Sequence, residues 1–147
     1  MKLGIVGYSE GTFDEDEARR LILLGICHAE MKSNKPVTHV VSGLTDQGVP
    51  GLAYHMAADP EYGPMITVGI ACSKASDYPC FPVDDKIIVG KQWGDESDTF
   101  LNYIDALVRV GGGKQSLAEA KKFREIKPNA PIVEFELPRE EDKWPKH

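Results

Sequence analysis

No apolar run in this sequence approaches the roughly 20 residues that a membrane-spanning helix needs, so a membrane span is not expected. Segment 2–7 is apolar, but it is too short and too soon interrupted by glycine to be the centre of a signal peptide. These two absences predict a soluble protein without a membrane partner, and cytoplasm is the expected location.

Paired cysteines and an excess of positive charge are also missing. Cys27, Cys72 and Cys80 are odd in number and form no Cys-x-x-Cys pair, so we expect reduced thiols, no disulfide framework and no metal site. The formal net charge of -6 at pH 7 argues against broad nucleic-acid binding, which needs a positive face. A small local basic patch remains compatible with one bound phosphate group.

What the sequence does contain is the composition of an ordinary globular domain. Of its 147 residues, 41% are hydrophobic and 27% are charged, and a chain of this size buries enough surface to form a core without a staple. Charge accumulates after residue 137. We therefore expect one domain over residues 1–137 and a loosely held charged tail over residues 138–147.

Apolar, β-rich runs alternate with segments of helical period. The predicted strands cover residues 3–6, 37–41, 65–71, 86–89, 106–110 and 132–137. The first predicted helix has its cap at Thr12 or Asp14, shows helical period over residues 18–29 and is stopped by Asn34 and Pro36. The other predicted helices cover residues 52–59, 97–103 and 116–124. Such alternation is typical of an open, mostly parallel sheet with helices on both faces. We expect strand 3–6 to be central and the first, second, third and fifth strands to be adjacent.

Three loops, residues 7–13, 42–51 and 111–116, each follow a predicted strand and precede a helix. In an open parallel sheet the ligand crevice lies beyond the carboxyl ends of the strands, where these loops converge. Glycines allow close approach of the backbone to a ligand, and the unpaired N–H groups of a helix start attract anions. The sequence therefore predicts a pocket for a phosphate-bearing ligand. The residues expected to bind it are Gly7, Tyr8, Ser9, Ser42, Gly43, Gln47, Gly48, Gly111, Gly112, Gly113, Lys114, Gln115 and Ser116.

The third loop is the most informative, and it leaves two roles open for Glu119. Ser116 and Glu119 have the spacing of a capping box, in which both side chains would only stabilise the start of a helix. A carboxylate at this place beside a sugar would instead bind ribose hydroxyls or support cleavage at the anomeric carbon. Glu119 is therefore the candidate catalytic residue.

The segment IDALVRVGGGKQSLAEA, residues 104–120, resembles the part of the SLOG Rossmann-like superfamily that carries the motif P-G-G-x-G-T-x-x-E. The superfamily includes the LOG cytokinin-activating phosphoribohydrolases and the molybdenum-cofactor carrier proteins. The glycine-rich turn at Ser42, Gly43 and Gly48 is similar to the turn after the second strand of that family. The resemblance spans about residues 2–137, and it implies a Rossmann-like α/β fold, a nucleotide-like phosphorylated ligand and a homo-oligomer.

The motif also departs from the family pattern. Gly111, Gln115 and Ser116 stand where the family has proline, glycine and threonine. In the hydrolases an arginine about nine residues before the aspartate of the fifth strand works with the motif glutamate. Counting back from Asp105 places Glu96 at that position.

Two functional hypotheses follow. The first is a protein that binds, carries or senses a nucleotide or a nucleotide-derived phosphorylated ligand, with no other cofactor indicated. The alternative is an enzyme that cleaves or transfers at an N-glycosidic bond, as LOG-like phosphoribohydrolases do, using Glu119. An NAD-dependent dehydrogenase is disfavoured because the first loop lacks the G-x-G-x-x-G pattern.

Several other polar and aromatic residues are weaker candidates. Lys91 would supply a second cation for phosphate, and Trp93 would stack on a base. Asp95, Glu96 and Asp98 are expected to form a solvated acidic stretch with a helix-capping member, or else to hold a divalent ion at a phosphate.

Overall fold

The computed structural model of the protein describes residues 1–142. Its strands are β1 (Lys2–Gly7), β2 (His39–Ser42), β3 (Ile66–Ala71), β4 (Asp85–Ile88), β5 (Ala106–Val110) and β6 (Ile132–Phe135). Its helices are α1 (Glu15–Ser33), α2 (Gly48–Ala58), α3 (Ser97–Tyr103) and α4 (Lys114–Ile126), with short 3-10 turns at Ser73–Asp77 and Glu140–Asp142. Within residues 1–142, no helix combines the length and the apolar character that crossing a bilayer would require.

The strands form one sheet in the order β4-β3-β2-β1-β5-β6, and every neighbouring pair is parallel. Leu3 of β1 lies opposite Val40 of β2 on one side and Ala106 of β5 on the other. The expected central position of β1 and the adjacency of these strands are confirmed. Strand order reverses at β1, which is where an open sheet of this kind forms its ligand crevice.

Helices cover both faces because the central strands are apolar on both faces. Leu3 and Ile5 pack with buried residues of α1 and α2, whereas the alternate residue Val6 packs with residues of α3 and α4 on the opposite face. In α1, Gly25 lies so close to Val108 that an added Cβ would be 2.5 Å from its Cγ1. The sheet is therefore held between two helical layers that bring the starts of α2 and α4 to one edge.

Helix α1 has the ends that its sequence indicates, whereas α2 and α4 begin earlier than expected. The carboxylate of Asp14 accepts the N–H of Glu17 at 3.0 Å and caps α1, which ends at the left-handed Asn34. Helix α2 begins at Gly48 rather than at residue 52, because Pro50 fits the first helical turn, where its missing N–H costs no hydrogen bond. Helix α4 begins at Lys114 rather than at residue 116. Because α2 begins at Gly48, the loop before it ends at residue 47 and is shorter than expected.

The charged segment that begins at residue 138 does not start as a loose tail. Arg139 forms an antiparallel bridge with Phe13, and the N–H of Glu140 donates to the carbonyl of Thr12 at 2.7 Å. The N–H of Thr12 in turn donates to the carboxylate of Glu141 at 2.7 Å. These long-range contacts hold residues 139–141 against the loop that follows β1. Residues 143–147 of the expected tail lie outside the described residues.

Candidate ligand-binding site

A cavity of about 460 Å³ opens beyond the carboxyl ends of β1, β2 and β3, beside the start of α4. All three glycine-containing loops contribute to its wall. Of the residues selected from the sequence, those that line it are Gly7, Tyr8, Ser9, Ser42, Gly43, Gln47, Gly113, Lys114, Gln115, Ser116 and Glu119. Its volume lies within the range of small-molecule sites, roughly 300–1,000 Å³.

Gly48, Gly111 and Gly112 lie outside this lining and shape the loops behind it. All three have positive φ angles, 60°, 60° and 104°. A Cβ at Gly48 would collide with the carbonyl of Tyr8, and one at Gly111 would lie 2.6 Å from the ring of Tyr8. At Gly112 the collision would be with the side chain of Ser116, at 2.6 Å. These glycines let the three loops approach one another.

The start of α4 faces the cavity without a side-chain cap. Gly113 occupies the N-cap position in an extended conformation, and no side chain accepts the N–H groups of the first turn there. Lys114, the first helical residue, adds a positive charge. Unpaired N–H groups, the helix dipole and a lysine together favour an anion at this place.

The expected capping box of Ser116 and Glu119 does not form. Ser116 lies inside the first turn of α4 rather than at the N-cap, because the helix begins earlier than its sequence signals indicate. Its hydroxyl instead points to the carbonyl oxygen of Gly7 at 3.5 Å. Glu119 therefore does not cap the helix, and it lines the cavity instead.

The start of α2 offers fewer N–H groups than the start of α4. The N–H of Val49 donates to the carbonyl of Tyr8 at 2.7 Å, and Pro50 has none. Gln47, at the N-cap position, makes no side-chain cap. We therefore place the strongest anion-attracting feature of the cavity at α4.

A buried arginine fixes the glycine loop before α4. The guanidinium of Arg109 donates from Nη1 to the carbonyl of Gly111 at 2.9 Å. Its remaining donors bind the carboxylates of Glu134 and Glu136, each at 2.6 Å. The ion pairs compensate the cost of burying this charge, and Gly111 is held from the strand below.

Glu96 corrects the expectation of a solvated acidic stretch. Its side chain is buried, because α3 begins directly after it and turns it inward, and one of its oxygens accepts the N–H of Gly94 at 3.1 Å. Asp95 and Asp98 remain exposed, as expected. Among residues 1–142, no three His, Cys, Asp or Glu side chains come together as a metal site would require.

Glu96 and Glu119 both line the cavity, and their proximity changes the chemistry of Glu119. Burial, and secondly the charge of Glu96, raise the pKa of Glu119 from 4.5 to about 7, although a hydrogen bond with Ser97 opposes the shift. A carboxyl group with such a pKa is partly protonated at neutral pH, so it both accepts and donates hydrogen bonds.

Sequence reasoning missed some residues of the cavity. Arg139 lines it from the segment that was expected to be a loose tail, and Glu10 lines it from the loop after β1. Trp93, named from the sequence as a weaker candidate, does line the cavity, in ring contact with Tyr78 at 5.9 Å between centroids. Lys91 is not among the lining residues; its N–H binds the carboxylate of Asp95 at 3.1 Å.

The fold and the cavity together define the class of this protein, a Rossmann-like α/β protein with a small-molecule-sized pocket at the carboxyl edge of a parallel sheet. No family model matches the chain, and no curated protein matches it. Solved structures do match.

TM1055, a structural-genomics target, is 23% identical over 89% of this chain and 71% of its own, with a TM-score of 0.65. The molybdenum cofactor binding protein of the phototrophic bacterium Rippkaea orientalis is 20% identical over 90% of this chain and 74% of its own, with a TM-score of 0.63. The molybdenum cofactor carrier protein of Chlamydomonas reinhardtii is 20% identical over the same shares, with a TM-score of 0.61. These neighbours confirm the Rossmann-like α/β fold.

Proposed function

We propose that this protein binds a nucleotide or a nucleotide-derived phosphorylated ligand in the cavity beside α4. The observation that carries the proposal is the uncapped first turn of α4, which meets the cavity together with Lys114. A phosphate group at Gly113 to Ser116 would receive N–H donors and a positive charge at once. Two structural neighbours, described as molybdenum cofactor binding and carrier proteins, support a role in binding or carrying a small molecule.

The remaining wall suits the other parts of a nucleotide. Tyr8 and Trp93 offer aromatic surface for a planar base. Glu119 follows Lys114 along α4 by about 7.5 Å of helix rise. That separation suits a sugar hydroxyl at Glu119 when the phosphate group lies at the helix start.

A thermal-shift experiment tests this proposal with four nucleoside 5′-monophosphates, AMP, GMP, CMP and UMP, and the four matching nucleosides. A ligand that binds only the folded state at 100 times its Kd adds about 2.7 kcal/mol of stability, so at least one monophosphate should raise the Tm by several degrees. The matching nucleoside should raise it much less. Lys114→Gln should reduce the shift, and Lys91→Gln, outside the lining, should leave it unchanged. No shift with any monophosphate at millimolar concentration would contradict the proposal.

The raised pKa of Glu119 favours one second candidate, an enzyme that cleaves or transfers at an N-glycosidic bond. General acids and bases work best with a pKa near the operating pH. If Glu119 has this role, Glu119→Gln should lower release of free base from a nucleoside monophosphate by about a hundredfold. We rank this candidate second because Glu96, a carboxylate rather than a cation, stands beside Glu119. Binding without base release above background is the expected result for wild type.

A homo-oligomer and a cytoplasmic location remain parts of the proposal. Native mass spectrometry of the freshly purified protein would give the subunit count together with the mass of any ligand that copurifies. We expect at least two subunits and a bound mass in the range of a phosphorylated nucleoside.

A further inference from the structure

Arg139 reaches the ligand cavity from a part of the chain that carries no recognised motif. It follows β6, and its backbone is held across the loop after β1 by the bridge to Phe13. The adjacent N–H of Glu140 donates to the carbonyl of Thr12 at 2.7 Å. The position of Arg139 at the cavity is therefore built by long-range backbone contacts.

The side chain of Arg139 is oriented by an aromatic ring in the same wall. Its guanidinium carbon lies 4.6 Å from the centroid of the Tyr8 ring, a cation–π arrangement. The same ring contacts Gly111, where an added Cβ would lie 2.6 Å from Tyr8 Cε2. Tyr8 follows Gly7, whose carbonyl oxygen meets the hydroxyl of Ser116 in α4. Arg139 thus belongs to the group of contacts that surrounds the start of α4.

The cavity has few cations to balance its acidic groups, so the positive charge of Arg139 matters for binding an anion. Three carboxyl groups line the cavity in the described part of the chain, those of Glu10, Glu96 and Glu119. The cations among the same lining residues are Lys114 and Arg139. A doubly charged phosphate group in this wall carries as much negative charge as Lys114 and Arg139 together carry positive charge, and the carboxylates add repulsion, so one cation alone would leave the phosphate group poorly compensated.

We propose that Arg139 is a second phosphate-binding residue of this site, acting with Lys114 and the first turn of α4. The inference rests on the proposed function and deepens it by assigning the ligand's phosphate group a second cation. A planar guanidinium presents paired N–H donors that match phosphate oxygens, and stacking on Tyr8 reduces the rotamer freedom lost on binding. The Arg139 side chain is 33% exposed, and its Nε lies 4.0 Å from a carboxylate oxygen of Glu141, so a phosphate group would compete with this long ion pair.

The test compares a nucleoside monophosphate with its own nucleoside by titration calorimetry. The monophosphate is the one of AMP, GMP, CMP and UMP that wild type binds most tightly. Arg139→Gln should lower the affinity for the monophosphate about tenfold or more and change the affinity for the nucleoside by less than about twofold. The two ligands should differ because only the monophosphate carries the phosphate group that we assign to Arg139. Arg139→Lys keeps one charge and should recover part of the loss. Arg20→Gln, an exposed α1 arginine paired with Glu17, is the matched control and should change neither affinity.

Other results of the Arg139→Gln titration would contradict either the role of Arg139 or the proposed function. Equal losses for monophosphate and nucleoside in Arg139→Gln would mean that Arg139 only supports Tyr8, and an unchanged affinity for both would mean that it has no role in binding. Either result would overturn this inference while the proposed function stands. Absence of binding by wild type to every monophosphate would instead contradict the proposed function itself, and the assignment of Arg139 with it.

Discussion

Gly113→Asp should stabilise the protein and strongly weaken monophosphate binding at the same time. Gly113 is the N-cap residue of α4, its φ of -93° is open to any residue, and a Cβ there would meet no heavy atom within 4 Å. An aspartate carboxylate at an N-cap accepts the N–H of the second or third helical residue, here Gln115 or Ser116. The introduced carboxylate would occupy the place that we assign to the ligand's phosphate group.

The size of both effects follows from the local geometry. Restricting a glycine backbone, completing the cap and placing a negative charge at the helix start together add about 1 kcal/mol to the free energy of unfolding. For a chain of this length that raises the Tm by about 3 °C. Loss of the N–H donors and repulsion of the phosphate should weaken monophosphate binding by about a hundredfold.

Denaturant unfolding and titration calorimetry measure the two effects on one preparation. Gly113→Ala adds a Cβ without a charge or a cap, so it is the control, and it should keep most of the affinity. Lower stability of Gly113→Asp would show that the backbone at this N-cap is misassigned. Unchanged monophosphate affinity in Gly113→Asp would refute the placement of phosphate at α4.

Two further predictions concern stability. Burial and Glu96 raise the pKa of Glu119 to about 7 in the folded protein, so the stability that its protonated form contributes is complete below about pH 4.5 and is lost as pH rises through 7. Urea titration should therefore find Glu119→Gln equal to wild type at pH 4 and more stable by about 3 kcal/mol at pH 8. A difference independent of pH would contradict the assigned pKa. Gly25→Ala should lower the free energy of unfolding by about 1 to 2 kcal/mol, because the added Cβ would lie 2.5 Å from Val108 Cγ1 and overpacking outweighs the gain in helix propensity. Gly43→Ala is its control, since a Cβ there meets nothing within 4 Å, and equal stability of the two variants would refute the packing argument.

The sheet was predictable because each strand has a local sequence pattern that indicates it. A strand buried on both faces is a short, nearly continuous apolar run. Strands β1 and β5 approach this pattern, although β5 includes Arg109, and each ends at or before a glycine. The intervening helices show apolar residues at helical spacing, as α1 does from Ala18 to Ala29. Once strands and helices alternate, parallel pairing and right-handed crossovers place the three loops at one edge.

The errors in the candidate site come from long-range packing. The sequence around Glu96 is acidic and polar, so it was interpreted as solvated, but α3 turns that one side chain inward beside α4. Arg139 follows the last strand, and no local pattern indicates that the chain returns across the loop at Phe13. The start of α2 was placed too late because glycine and proline at its first turn are also typical of loops.

Backbone amide NMR tests the central claim most directly, because it locates the ligand on the protein. Wild type would be titrated to saturation with the monophosphate that binds most tightly. We predict the largest chemical-shift changes at Lys114, Gln115 and Ser116, with smaller ones at Tyr8. Changes centred on the opposite edge of the sheet, where Lys35 and other residues line a second cavity, would contradict the account, as would an absence of change near α4.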